Sequence, residues 1–154
     1  MDLKAGDKAP SFNLAADSGA NISLAALRGK PFVLYFYPKD DTSGCTREAL
    51  GFSDNIKKFD KLGVNVVGVS KDTVASHARF KTKYGLKLRL ASDPDIVAAK
   101  AYGVWVEKSL YGRKYMGMER ATFLVDQRGV IREIWRKVKV AGHVEAVLAA
   151  AKSL

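Results

Sequence analysis

Cysteine is nearly absent from this chain of 154 residues: there is one, Cys45. A single thiol can form no internal disulfide, no CxxC pair and no cysteine-based zinc site, which excludes a disulfide-stapled secreted domain. Histidine is almost as scarce. His77 and His143 are too few and too far apart in sequence to suggest a metal, and both are expected at the surface or at helix ends. No apolar run approaches the roughly 18 residues of a membrane-spanning helix. The longest candidate, Phe32 to Tyr37, has the length of a strand. The polar opening, Met1 to Pro10, lacks the apolar stretch of a signal peptide, so the cytoplasm is the expected compartment. The four prolines are scattered, and no Gly/Ser linker or repeat marks an internal boundary. Gly103-Val104 and Gly142-His143 match no phosphate-loop spacing.

What is present is ordinary in amount. Hydrophobic residues make up 47% and charged residues 27%, values of a globular chain and not of a disordered or collagen-like one. The length suits one domain, residues 1–154. Charge is less evenly spread. Residues 1–60 hold 8 basic and 8 acidic groups, whereas residues 61–154 hold 18 and 8 and so carry the whole +10. That bias favours anionic partners without naming one. Arg79, Lys81, Lys83, Lys87 and Arg89 form one basic cluster, and Arg128, Arg132, Arg136, Lys137 and Lys139 another. Both read as solvated faces, with docking of an acidic reductant or glutathione as the sharper reading. No recognised nucleic-acid module accompanies them.

Strand-like runs alternate with helical patterns, the mark of a layered α/β fold. Ser11 to Leu14 and Asn21 to Leu24 flank a turn at Asp17-Ser18-Gly19 and predict a hairpin, and Leu24 to Leu27 predicts one helical turn ended by Gly29. Pro31 to Tyr37 is apolar throughout, as a central strand covered on both faces must be. Ala49, Phe52, Ile56 and Phe59 share one face of a helix predicted over Cys45 to Leu62. A strand at Val64 to Val69 and a basic helix at Thr73 to Tyr84 follow. Next come a short strand at Leu88 to Ala91 and a helix opened by Asp93-Pro94 and running to Tyr102. Gly103 to Glu119 has no clear period and is left unplaced. Thr122 to Val125 and Val130 to Lys139 predict two strands around a turn, and Gly142 to Ser153 a final helix buried through Val144, Val147, Leu148 and Ala151. This order is that of a thioredoxin-like fold with a central mixed sheet flanked by helices.

Chemistry concentrates in Tyr37-Pro38-Lys39-Asp40-Asp41-Thr42-Ser43-Gly44-Cys45-Thr46-Arg47-Glu48. A central strand ends here, a turn follows, and a helix starts at or near Cys45. Ligands of open α/β sheets bind just beyond such strand ends. The first helical turn offers unpaired N–H groups and partial positive charge, which favour an anionic thiolate. Thr42 and Ser43 are candidate N-caps, and Gly44 would let a small ligand approach the backbone. A lone cysteine is most often a small buried hydrophobe, but those sit within apolar runs, and this one does not.

Pro38-x-x-x-Thr42-x-x-Cys45 resembles the active-site signature of the peroxiredoxins, and the fuller string looks like their bacterioferritin comigratory protein, or Prx-Q, branch. The resemblance spans nearly the whole chain, including Gly6 to Phe12, Ser92-Asp93-Pro94, Tyr111 to Gly117 and Arg120 to Asp126. It implies a peroxidase for hydrogen peroxide and alkyl hydroperoxides that needs no metal or other cofactor, with Cys45 as the peroxidatic nucleophile. Thr42 would hydrogen-bond the peroxide, Pro38 would shield the site, and Arg120 would sit beside the sulfur. Glu48 would orient an arginine, with Gly44 in support. Many members of the branch carry a second cysteine at positions matching Leu50 or one near Lys81; neither is cysteine here. Ser43 and Ala121 stand where Pro and Ser are frequent. The resemblance therefore implies a one-cysteine type recycled by an external thiol (thioredoxin, glutaredoxin with glutathione, or a small thiol) and a monomer. A peroxide sensor passing oxidation to a partner protein and a basic nucleic-acid-binding module are the alternatives.

Overall fold

The structure, a computed structural model, describes residues 2–154. Its centre is β3 (Phe32–Phe36), buried at every residue. On one side β3 pairs in parallel with β4 (Asn65–Ser70), which pairs in parallel with β5 (Arg89–Ser92). Antiparallel β1 (Asn13–Ala16) and β2 (Asn21–Ser23) complete that side. On the other side β8 (Ala121–Val125) and β9 (Ile131–Trp135) add antiparallel strands. The order is β2-β1-β5-β4-β3-β8-β9, a mixed sheet with helices on both faces, as the thioredoxin-like reading expects.

Side chains of successive strand residues point to opposite faces, so β3 serves two cores. Val33 and Tyr35 pack with α1 (Ser43–Asp54), α2 (Ile56–Lys61), α3 (Val74–Tyr84) and α5 (His143–Ala151) through Phe52, Phe59, Phe80 and Val147. Phe32, Leu34 and Phe36 pack with Leu27, Tyr102 and α4 (Val97–Ala101). This double duty is why the segment is apolar throughout. Tyr35 stacks on Phe52 with ring centroids 4.6 Å apart. Its ring also crosses β4 at Gly68, where a Cβ would lie 2.7 Å from the phenol, so that strand position admits no side chain.

Four expectations shift. The helix over 45–62 is two helices, since it begins at Ser43 and breaks at Asn55, whose side-chain amide donates to Gly51 O at 2.8 Å. Asp93-Pro94 does not open α4. The Asp93 carboxylate instead accepts from the amides of Ala98 (3.3 Å) and Ala99 (2.8 Å), an acidic cap that satisfies orphan N–H groups and delays the helix to Val97. The strand over 130–139 stops at Trp135, because Arg136 turns to Glu119 (2.9 Å) and Lys137 adopts φ 47°. The unplaced segment forms a separate hairpin, β6 (Trp105–Leu110) with β7 (Arg113–Met118).

Phe52 is fully buried between α1 and the sheet. Phe52→Ala is expected to lower unfolding free energy by about 3–5 kcal/mol, read as a shift of the urea midpoint with an unchanged slope.

Candidate active site

After β3, Tyr37 N–H still donates to Val69 O (3.0 Å), and the chain then turns through Pro38–Thr42. Asp41, at φ 61°, makes the tight reversal. Thr42 has the extended backbone of an N-cap, and its carbonyl accepts from Thr46 N–H at 2.8 Å. Cys45 is thus the third residue of α1, with its amide among those that a helix leaves unpaired. The Thr42 hydroxyl does not cap, contrary to expectation. It donates to Lys39 O at 2.9 Å, which keeps its lone pairs available and leaves the first amides of α1 without a side-chain cap. Cys45 is buried, Thr42 exposed, and Pro38 half-buried between them in the wall of the turn.

Arg120 reaches the same place from the N-terminal end of β8, the antiparallel neighbour of β3. Its Nη2 donates to Cys45 Sγ at 3.3 Å and its Nη1 to Glu48 Oε1 at 2.8 Å. Glu48 lies one turn after Cys45 on α1, on the same face, and is wholly buried. The guanidinium lies over Gly44, where an added Cβ would come within 3.1 Å of Nη2. The small residue thus makes room for this arginine. Arg120 is only 17% exposed at its side chain and is no surface cation.

Electrostatics follow from this enclosure. Burial pushes the Glu48 carboxyl up to about 7, with Arg120 pulling the other way. Burial also disfavours the Arg120 charge, but Glu48 and Cys45 outweigh it and hold the guanidinium above its ordinary value. Glu48 Oε2 has no hydrogen-bond partner among the described residues. His143 Nε2 stands 3.9 Å from it and 2.8 Å from Thr122 Oγ1. Burial, then Arg120, push His143 down to about 4.

Neither histidine is at the surface. His143, first residue of α5, is buried behind Glu48; His77 is fully buried under the Pro38–Thr42 turn. His77, Asp40 and Asp72 present ligand-type atoms within 4.8 Å of one another. Their oxygens already accept from Tyr37, Ser76, Ser70 and the Asp40 amide, so the trio is a hydrogen-bonded network and not a cation shell. The basic clusters are also less free than expected. Lys81 pairs with Asp17 (2.9 Å), Lys83 with Asp41 (2.7 Å) and Arg136 with Glu119. β6 adds Lys108, which burial, then Arg120, hold below its ordinary value.

Residues 5–134 match the model of the AhpC/TSA family. The chain belongs to this peroxiredoxin family. It is 52% identical over 148 residues to a Coxiella burnetii protein named putative peroxiredoxin bcp, covering 96% of this chain and 98% of the relative. It is 43% identical to Bacillus subtilis peroxiredoxin Bcp, over 100% and 98%. The solved structure of Xanthomonas campestris peroxiredoxin Q superposes with a TM-score of 0.88 at 46% identity, covering 92% of this chain and 90% of that one. A mutant of Xylella fastidiosa PrxQ gives 0.93 at 37%, over 99% and 98%. A further structure of the Xanthomonas protein is described in terms of its alkyl peroxide reduction activity. Among peroxiredoxins of this branch the present chain has a single cysteine; Leu50 is half-buried on α1, and Lys81 lies on α3.

Arg120, Glu48, Gly44 and Cys45 are therefore in one cluster, with Thr42 and Pro38 on its rim. Sequence reasoning missed Thr122, His143, Asp40 and His77 as neighbours of the site. Asp40 was visible only as one of two acids before the helix, and the other three carried no local signal.

The Glu48 carboxyl takes up protons more readily in the folded chain than in the unfolded one. Its titration therefore lowers stability as pH rises from 4.5 to about 7. The stability of Glu48→Gln minus that of the native chain is expected to grow across this window and level off above it, as measured by urea unfolding at each pH.

Proposed function

We propose that the chain, as one domain, reduces hydrogen peroxide and organic hydroperoxides with Cys45 as nucleophile. The single observation that carries this is Arg120 bridging Cys45 Sγ and the buried Glu48 at the start of α1. In the first step the Cys45 thiolate attacks one peroxide oxygen. An S–O bond forms, the O–O bond breaks, and the departing oxygen takes a proton and leaves as water or alcohol. The sulfur, oxidised by two electrons, is then a sulfenic acid.

Each neighbour has work in that step. Donors aimed at the place where charge develops lower the barrier without reorganising. Arg120 Nη2 and the first amides of α1 are such donors, and the Thr42 hydroxyl, its proton held by Lys39 O, can accept from a peroxide. Pro38 walls the turn, Gly44 admits the guanidinium, and Glu48 holds it. The relatives' names and the alkyl peroxide activity described for the Xanthomonas protein support this over a sensor or a nucleic-acid module.

No second thiol exists in the chain to close a disulfide, so recycling falls to an external one. That thiol attacks the sulfenic sulfur, releasing water and forming a mixed disulfide; a second thiol then frees Cys45. Thioredoxin, glutaredoxin with glutathione, or a small thiol can supply these electrons. The proposed form of the chain is a monomer and its proposed compartment the cytoplasm; among the described residues no helix is long and apolar enough to cross a membrane.

Cys45→Ser is expected to abolish thiol-dependent peroxide consumption, and mass spectrometry of the native chain after one equivalent of peroxide is expected to show one added oxygen on Cys45. Normal turnover by the serine variant would overturn the mechanism. Arg120→Ala is expected to slow sulfenate formation by about 10²–10³-fold, read as the second-order rate constant with peroxide.

A further inference from the structure

Asp40 and Asp41, the two carboxylates just before α1, turn away from the sulfur and toward α3. The Asp40 carboxylate accepts from Tyr37 Oη (2.6 Å) and Ser76 Oγ (2.8 Å) and faces His77 Nδ1 at 2.7 Å. Its amide donates to Asp72 Oδ2 at 2.8 Å. Asp41, held at φ 61°, accepts from Lys83 Nζ (2.7 Å) and Tyr84 Oη (2.5 Å). Such a backbone conformation persists in a residue other than glycine only where its surroundings over-determine it. Here α3 supplies that determination.

His77 has no solvent exposure, and its Nε2 faces Ala91 O at 2.9 Å. A carbonyl only accepts. The imidazole Nε2 therefore donates to Ala91 O, while Nδ1 on the opposite side of the ring faces the Asp40 carboxylate. The two Asp40 oxygens accept from Tyr37 Oη and Ser76 Oγ; burial opposes the Asp40 charge, but hydrogen bonds from His77 and Tyr37 outweigh it and hold that carboxyl below its ordinary range. A buried polar network rigidifies when its members are satisfied, and both ring nitrogens of His77 and both oxygens of Asp40 have partners. Charge-assisted hydrogen bonds are directional. They hold the turn in one place, where an apolar contact would let it slide.

We propose that His77, through Asp40, is a positioning residue for the peroxide step: the pair holds the Lys39–Thr42 turn so that the Thr42 hydroxyl and the first amides of α1 stay aimed above Cys45. The link is short, because Lys39, whose carbonyl accepts from the Thr42 hydroxyl, is bonded directly to Asp40. The proposal rests on the reading of Thr42 as the residue that holds peroxide.

Two reactions of Cys45 separate positioning from general damage. Oxidation by hydrogen peroxide needs the turn, whereas alkylation by iodoacetamide needs only a reactive, accessible thiolate. His77→Gln keeps size and polarity but cannot hold the Asp40 carboxylate and the Ala91 carbonyl on opposite sides of one ring. It is expected to slow oxidation about tenfold or more while alkylation stays within about twofold of the native rate. Ser76→Ala, which removes a smaller donor to Asp40, is expected to act the same way to a lesser degree. In the native chain, nitrogen NMR is expected to show a proton on His77 Nε2 that exchanges slowly with solvent. Native oxidation rates in the folded variants, equal losses in both reactions, or a His77 ring without a proton on Nε2 would each overturn the proposal. If His77→Gln does not fold, Ser76→Ala and the NMR signature decide alone. A native chain inert to peroxide would instead overturn the peroxidase reading, and the proposal with it.

Discussion

Arg120 is held between a buried carboxylate and a sulfur, and much of the local structure follows from that one placement. An arginine that is 17% exposed needs a counter-charge, and Glu48, itself wholly enclosed, supplies it at 2.8 Å. Removing either partner of such a pair leaves a buried charge unmatched, at a cost of several kcal/mol. The pair also sets geometry. With Nη1 committed to Glu48, the guanidinium plane delivers Nη2 to Cys45 Sγ. Gly44 lies beneath it, where a Cβ would come within 3.1 Å of the same nitrogen and push it by a few tenths of an ångström. The ion pair thus joins α1 to the start of β8 at the point where charge would change in the reaction.

That junction depends on the sheet. β3 delivers the chain to the turn, and β8 runs beside it in the opposite sense, so Phe36 pairs with Ala121 and Arg120 enters at the level where β3 ends. The two cores on either side of β3 are aromatic and tightly filled, with Tyr35 against Phe52 and Phe36 against Tyr102. Polar groups buried among them are in two sets that meet at α1. Glu48, Thr122 and His143 lie under the sulfur, and Tyr37, Asp40, Ser76 and His77 lie under the turn. Buried polar networks of this kind rigidify when satisfied and are expensive when not. The first set keeps one oxygen of Glu48 without a partner, and the raised carboxyl of Glu48 is the corresponding electrostatic cost.

Much of this was legible in the residues themselves. An uninterrupted apolar run can only be a strand covered on both faces, and β3 is one. A cysteine between Gly44 and Thr46, after a strand and before a helical period, had to lie at a strand-to-helix turn. Its resemblance to a known signature also drew Arg120 toward it from far along the chain. Less legible were features in which a side chain competes with the backbone. Asn55 breaks a helix whose apolar period runs straight through it, and Asp93 caps α4 from several residues upstream. The β6–β7 hairpin has no clean alternation because much of it faces water on both sides.

Composition and pattern by themselves therefore determined a layered α/β chain with one thiol at a helix start, because hydrophobic period and thiol count are local properties that no packing can alter. Only the tertiary structure decided what surrounds that thiol. Glu48 and Arg120 are 72 residues apart, Asp40 and His77 are 37 apart, and Thr122 and His143 are 21 apart. Whether such groups meet depends on strand order and on which face each side chain takes. The two histidines show this: His143 does begin a helix, one of the expected places, and His77 does not, but the fold buries both where fixed partners receive their ring nitrogens.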